Sequence, residues 1–323
     1  MMTMLSEPTR GLSQREQLKV TAQKVMTQLT LEPGTPPDWG SNLEVGEDGL
    51  KSFGLAKHSE TTRDAYVLDP GKVSRLGGPP IGISPSRAAE LLNLEGSYGF
   101  RLEFRPALEI NLTKPSPSEF IIAASSPTGV EPVVGANVTA AMYIYEGGFT
   151  ALEPTGGTTR TGIDGKCSLR FEGAETENGV IVLIVEHQGL RVVKVIPVGA
   201  QVEKAKLMAD RLILDGDEEL AWEALEIVPI YGNGMTNLIS LNQTITRIGA
   251  AYYKLSYLEP GAEAVLAVSA DGNKLFYAPR ADELIYSTSE GEVPTTFSYS
   301  LERSVVIGSS IHTLRLYIWR MTW

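Results

Sequence analysis

The residue types able to hold a metal, attack a carbonyl or move a proton are few in this chain, and they are scattered. His58, His187 and His312 are the only histidines, and none has a histidine, cysteine or carboxylate at the spacing of a metal-binding helix. A zinc site would require them to converge in space with carboxylates, so surface or strand-edge positions are expected. The densest acidic run, Asp215-Gly216-Asp217-Glu218-Glu219, offers hard oxygen ligands but lacks the loop spacing of an EF-hand, and a solvated turn is expected. Asp164-Gly165 and Asp271-Gly272 are turn residues first and ion ligands second. Gly308-Ser309-Ser310 lacks the second glycine of a nucleophile elbow, and Gly232-Asn233-Gly234 lacks the third glycine of a dinucleotide loop. No Gly-rich phosphate loop ends in Lys-Ser or Lys-Thr. No catalytic residue, metal ligand or cofactor is assigned, and the expectation is a protein that is not an enzyme.

Other side chains suggest covalent modification or contact. Asn111-Leu112-Thr113, Asn137-Val138-Thr139 and Asn242-Gln243-Thr244 fit the acceptor pattern for N-glycosylation, which makes Asn111, Asn137 and Asn242 candidates if the protein is exported. Lys114, Lys166 and Lys194, with Asn137 and Asn178, are available for a Lys–Asn bond of the kind some sandwich modules carry, although no flanking pattern marks them. Cys167 is the single cysteine, so an intrachain disulfide and a thiolate zinc site are excluded. On a predicted strand it is a small buried apolar residue. Aromatic residues gather late, from Tyr252 and Tyr253 through Phe276, Tyr286 and Tyr317 to Trp319. Cross-strand packing is expected of most, and a contact surface of any exposed subset.

The elements carrying these residues are mostly strands. The segment Pro132 to Ala140 alternates with period two, and Asp164-Gly165 supplies hairpin chemistry before Lys166-Cys167-Ser168-Leu169-Arg170-Phe171. Strands are expected at Phe100–Ile110, Phe120–Ala124, Ala136–Tyr145, Cys167–Phe171, Val180–Glu186 and Leu190–Ile196, and again at 224–231, 250–257, 264–269, 274–277, 297–307 and 313–319. Residues 202–214 read either as a helix or as a strand at 211–214. Before the strands, Ser13-x-x-Glu16 forms a capping box, and Leu12, Val20, Val25, Met26 and Leu29 give a helix over Leu12–Leu31 that ends at Pro33-Gly34. Its polar face would be Gln14, Arg15, Lys19, Gln23, Lys24 and Gln28. A short second helix is expected over Ser86–Leu94, with Ala88, Leu91 and Leu92 inward.

The chain has 323 residues, 42% hydrophobic and 21% charged, with a net charge of -11, which fits a folded protein of about two domains. An acidic surface without clustered Lys or Arg excludes phosphate-backbone recognition, so no nucleic-acid partner is expected. No run of 18 apolar residues occurs, and Met1–Arg10 lacks the apolar centre of a secretory signal. The chain is therefore expected to be cytoplasmic, or to begin after a targeting segment that has been removed.

Taken together, Leu12-Ser13-Gln14-Arg15-Glu16 with Pro33 to Gly40, Phe53-Gly54-Leu55-Ala56, Tyr66 to Leu76, Tyr98-Gly99-Phe100-Arg101-Leu102 and the closing Val305-Val306-Ile307-Gly308 and Leu316 to Arg320 resemble archaeal type IV pilin-like surface proteins. The central segment is similar to transthyretin-like or carboxypeptidase-regulatory-like modules, which are Ig-type sandwiches. The resemblance implies a mainly β protein with an α+β scaffold: an N-terminal helix packed on an antiparallel sheet, plus an inserted Ig-like β-sandwich. The implied division is 1–32 helix, 33–112 first scaffold part, 113–199 inserted sandwich and 200–323 second scaffold part. It implies a non-catalytic structural or adhesive protein at the cell surface, partnered by other envelope or filament subunits. Membrane contact would come only through a segment this chain does not contain. A carbohydrate- or peptide-binding module using loops such as Gly147–Gly162, and a hydrolase whose site assembles in space, are the alternatives.

Overall fold

The computed structural model describes residues 7–59, 64–78, 81–174, 178–208, 210–213, 225–231, 241–243, 246–247, 252–255, 262–268, 274–280, 283–289, 291–294 and 298–321. Among the described residues strands predominate, and the long helix is the N-terminal one, so the fold is mainly β with an N-terminal helix. The chain divides into two compact units. The first comprises Met1–Arg105, Glu283–Val306 and Thr313–Trp323; the second comprises Pro106–Asp282 and Ile307–His312.

In the first unit the long helix runs Glu7–Leu31. It starts earlier than the capping box suggests, so Ser13 lies inside the helix, and Pro8 occupies the first turn, where a missing N–H leaves no bond unmade. Leu18, Ala22, Val25, Met26 and Leu29 form the buried stripe, spaced three and four apart. Val20, expected inside, is 62% exposed, because it sits about 200° round the helix from Ala22. Arg15, Gln23 and Lys24 are exposed, and Gln28 turns inward to donate to the Phe53 carbonyl at 3.0 Å. None of the described helices is long and apolar enough to cross a membrane.

A five-stranded sheet completes this unit, in the order Val67–Leu68, Ser298–Ile307, Ser310–Arg320, Tyr98–Pro106 and Leu284–Ser287. Period-two alternation puts Phe100, Leu102 and Phe104 on a buried face, with Leu314, Leu316 and Ile318 buried on the next strand. Arg101, Glu103 and Arg105 alternate onto the opposite face. There Glu103 is only 4% exposed, held by Arg101 Nε at 2.8 Å and Arg105 Nη2 at 3.0 Å. Two short helices follow their caps: Asp69 accepts from the N–H groups of Gly71 and Lys72 to start Pro70–Ser74, and Ser84 accepts from Arg87 N–H to start Pro85–Leu91.

The second unit is a stack of four sheets. The first sheet has the order Glu109–Ser116, Glu119–Ser125, Lys166–Arg170. The second runs Leu190–Val198, Gly179–His187, Asn137–Tyr145, Phe149–Leu152, with Thr159–Arg160 also paired to Asn137–Tyr145. Phe120, Ile122, Leu169, Val138, Ala140, Met142, Ile181 and Leu183 fill the space between them, giving a β-sandwich of Ig-like build. Ala141, Tyr143, Val180 and Val182 alternate to the other face of the second sheet. There they pack against Val228, Ile230, Ala264, Leu266 and Val268 of a third sheet. That sheet runs Val202–Lys204, Leu275–Pro279, Ala262–Val268, Leu225–Tyr231, Leu241–Gln243. Its far face (Ile227, Val265, Ala267, Phe276) meets Ala205, Leu207, Leu212 and Leu255, which belong to or adjoin the fourth sheet of Lys206–Met208, Arg211–Ile213, Tyr252–Lys254 and Thr246–Arg247.

Several expectations change at this level. The ambiguous segment 202–214 forms short strands where it is described, Val202–Lys204, Lys206–Met208 and Arg211–Ile213. The expected division between 112 and 113 falls inside a strand of a hairpin, where Pro115 is tolerated because Glu109–Ser116 is an edge strand with a register shift between Thr113 and Ser116. The sequence division ended the sandwich at 199 and gave 200–323 to the scaffold. The contacts instead group strands from 202 to 279 with the sandwich, because that sandwich's second sheet is apolar on both faces. Asp271-Gly272-Asn273 lies outside the described residues, although the strands on either side, Ala262–Val268 and Leu275–Pro279, pair antiparallel.

Candidate docking groove

Residues 33 to 57 of the first unit form no regular ladder, so their carbonyls need other donors. Three buried side chains from outside any ladder supply them. Trp39 Nε1 donates to the carbonyls of Pro33 (3.1 Å) and Gly54 (3.2 Å). Lys72 Nζ donates to Pro33 and Ala56, both at 2.8 Å. Arg75 donates through Nε to Ile81 (2.9 Å), through Nη2 to Val45 (2.8 Å) and through Nη1 to Trp39. Lys72 is 0% exposed and Arg75 1%, and their cationic groups lie 6.0 and 5.5 Å from the Trp39 ring centre. Burial pulls the Lys72 pKa down to about 8, against the opposing pull of Asp69 and Asp38. Glycine is required where backbone meets backbone: a Cβ on Gly71 would stand 2.8 Å from the Gly40 carbonyl oxygen. Arg87 continues the pattern, with Nε 3.1 Å from the Glu47 carbonyl and Nη2 2.8 Å from that of Leu50.

Arg75 of this scaffold also lines a groove of about 730 Å³. Leu43 and Glu47 line it on the loop side, with Leu76, Ile81 and Ile83 along its length, and the strand Leu284–Ser287 forms the opposite side. The Glu47 carboxylate accepts from Ser84 N–H, and Tyr286 donates its hydroxyl to the Ile83 carbonyl at 3.0 Å. Burial, and then the negative charge of Glu47, push the Tyr286 hydroxyl pKa far upward, so it remains a donor. Leu284–Ser287 is the last strand of its sheet, paired Leu284↔Phe104, Ile285↔Glu103, Tyr286↔Leu102 and Ser287↔Arg101. Thr288 N–H donates to the Phe100 carbonyl at 3.0 Å, which fixes the alternation. Leu284 and Tyr286 turn their backbone groups toward Tyr98–Pro106, while Ile285 and Ser287 turn theirs outward.

The residues singled out in the sequence fall elsewhere. Asn111 is exposed on an edge strand, its amide 3.3 Å from Glu109 Oε1. Asn137 opens a strand and accepts from Arg160 Nε at 2.9 Å. Asn242 lies on Leu241–Gln243, with its side chain outside the described residues. Asn178 pairs with Gln201 at 3.2 Å and Lys114 lies over the Phe120 ring, so these two Lys–Asn candidates, like Asn137, have other partners. His58 is exposed, His187 half-buried and His312 only 2% exposed. No group of three or more His, Cys, Asp or Glu among the described residues is placed to hold a metal. Asp164 Oδ1 accepts from Lys166 N–H at 3.1 Å, closing a turn whose Gly165 has φ +73°. Cys167 is buried in the sandwich core, where desolvation raises its thiol pKa to about 11. The runs 215–219 and 232–234 lie outside the described residues.

Sequence reasoning passed over the buried ions. Lys72 and Arg75 read as surface charge, and only the irregular, proline-rich stretch before them, with its unpaired carbonyls, signals a need for buried donors. Glu263 of the second unit was also missed. It is 6% exposed on Ala262–Val268 and accepts from Ser309 N–H at the turn Gly308-Ser309. Burial raises its pKa above the ordinary value, opposed by hydrogen bonding from Ser309 and by Arg280 and Arg191. A Cβ on Gly308, at φ +63°, would come 2.5 Å from Glu263 Oε1. The enclosed space beside Glu263 and Ser310 measures about 20 Å³, room for roughly one water.

No family model matches this chain, and no curated protein matches it. Among solved structures it is similar to the C-terminal 282-residue fragment of intimin, in complex with the intimin-binding domain of the translocated intimin receptor. The two are 13% identical, the match covers 60% of this chain and 66% of that one, and the TM-score is 0.18.

Proposed function

We propose that this chain is a non-catalytic structural or adhesive component of a cell surface, of the archaeal pilin-like kind that its sequence resembles. One observation carries the reading. The strands Asn137–Tyr145, Gly179–His187 and Ala262–Val268 are apolar on both faces and hold layers together, so the chain's hydrophobic residues build a stiff multi-sheet body. Such a body presents contact area at fixed geometry. The test is antibody labelling of intact and lysed source cells. Labelling of intact cells supports a surface role, and labelling only after lysis ends it.

A second reading is a peptide-binding module. The groove beside Leu284–Ser287 favours it over carbohydrate recognition through the Gly147–Gly162 loops, because that groove is bordered by an open strand edge. The hydrolase alternative needs a nucleophile and base beside a substrate-sized recess. Ser309 next to Glu263 is the nearest approach to such a pair, and the space beside Glu263 admits about one water, which weighs against it.

A further inference from the structure

We infer that the edge strand Leu284–Ser287 is a strand-addition site, which takes an extended, cation-bearing peptide segment of a partner protein as the next strand of the sheet. The inference deepens the peptide-binding reading and rests on it. Three observations carry it.

The first is hydrogen bonding. Ile285 and Ser287 point their N–H and C=O groups away from Tyr98–Pro106, and none of these groups has a hydrogen-bond partner among the described residues. An extended backbone supplies the matching donors and acceptors in register, which is how exposed sheet edges capture peptides. The edge is four residues long, enough for a segment of about 13 Å.

The second is shape. Protected edges are normally covered by a loop or shortened to nothing, but here a groove of about 730 Å³ runs beside the strand. Its far wall holds Leu43, Leu76, Ile81 and Ile83, so alternate residues of the incoming strand would meet apolar side chains.

The third is charge, which selects the occupant. Among the described residues that line the groove, Arg75 and Glu47 are the ones that carry a formal charge. The Arg75 guanidinium is buried and turned onto the carbonyls of Trp39, Val45 and Ile81, away from any ligand. Glu47 is half-buried, its carboxylate accepts from Ser84 N–H and forms no salt bridge among the described residues, so it is the group in the groove left for a ligand cation to meet. A second copy of this chain carries a net charge of -11 and would be repelled, whereas a strand with Lys or Arg among apolar residues is attracted.

The test is selection of a random dodecamer phage library on the full chain, followed by measured affinities of the synthetic peptides recovered. Binders should carry Lys or Arg among alternating apolar residues. Methylating their alternate backbone amides should weaken binding about tenfold or more, the equivalent of one or two main-chain hydrogen bonds. Ile285→Pro should weaken it similarly, since it removes an outward N–H and leaves the Leu284 and Tyr286 pairs in place. Binding should also slow amide exchange within 284–287. If Ile285→Pro does not fold, the methylated peptides and the exchange data decide, and Glu47→Gln should reduce the preference for cationic over neutral peptides severalfold. Recovery of no binder, of acidic binders, or of binders indifferent to backbone methylation overturns the assignment. Any of those outcomes leaves the cell-labelling result, and the surface role it tests, untouched.

Discussion

The two units solve the same problem with opposite materials. In the second, apolar side chains on both faces of the inner sheets hold four layers together, and the backbone satisfies itself through ladders. In the first, the segment from Pro33 to Lys57 has almost no ladder, and Trp39, Lys72, Arg75 and Arg87 hold its carbonyls in place from the side. A stacked sheet loses stability in proportion to the methylenes removed, and its neighbours relax to share the loss. A carbonyl network has no such give, since each orphaned acceptor bears its full desolvation cost. The first unit should therefore be the more brittle under single substitutions, although it carries the groove.

The sharpest test is Arg75→Met, which keeps the apolar stem and strands three carbonyls. It should cost about 3–5 kcal/mol, with exchange rising first across residues 33–57 and the strands of the second unit unaffected. An equal rise in both units would break the comparison. In the second unit Leu266→Ala, between the second and third sheets, should cost about 2–4 kcal/mol, read as a shift in the urea midpoint at unchanged slope. If Leu266→Ala proves the costlier of the two, side-chain volume rather than carbonyl satisfaction governs both units.

The same contrast explains what was legible in the sequence. Strands at 136–145, 180–186 and 190–196 were readable from alternation and β-branched runs, and Asp164-Gly165 announced its turn. What alternation could not show was the destination of the second face. Ala141, Tyr143, Val180 and Val182 look the same in a two-layer sandwich as in a deeper stack, so the strands after 200 were assigned elsewhere. The long helix was legible, and so was the phase of Val20, which, nine residues from Leu29, lies about 180° round the helix from it and is exposed. The groove was illegible. Its wall includes the buried Arg75, and charged residues are read as surface by default because burial is rare without partners. Those partners are carbonyls, which every residue possesses and no sequence pattern reveals.

Lys72 sharpens the comparison through pH. Its folded pKa, about 8, is below the ordinary 10.5, so between those values the unfolded chain binds more protons than the folded one. Stability contributed by this residue therefore rises as pH increases from about 8 to 10.5. The neutral amine still has two N–H donors for Pro33 and Ala56, so the bonds survive deprotonation. Subtracting the pH dependence of Lys72→Met from that of the wild type, by urea midpoints between pH 7.5 and 10.5, should leave a positive slope. A flat difference would mean that the ammonium is as well solvated inside the carbonyl network as in water.

Glu263 gives the smallest expected effect and the opposite sign. Here burial raises a carboxyl pKa, so the folded chain holds its proton where the unfolded chain has released it, and stability falls as pH rises from about 4.5 through the raised value. Glu263→Gln keeps an oxygen to accept from Ser309 N–H and removes the buried charge. The variant should be more stable than the wild type at pH 7, by about 1 kcal/mol or less, and the two should converge near pH 4. Gly308→Ala serves as the control on geometry: with φ +63° and the carboxylate 2.5 Å from the new Cβ, it should destabilise at every pH. If Glu263→Gln instead loses stability at pH 7, then Arg280 and Arg191 stabilise the carboxylate more than burial penalises it. The apolar stack would in that case depend, like the first unit, on a buried ion.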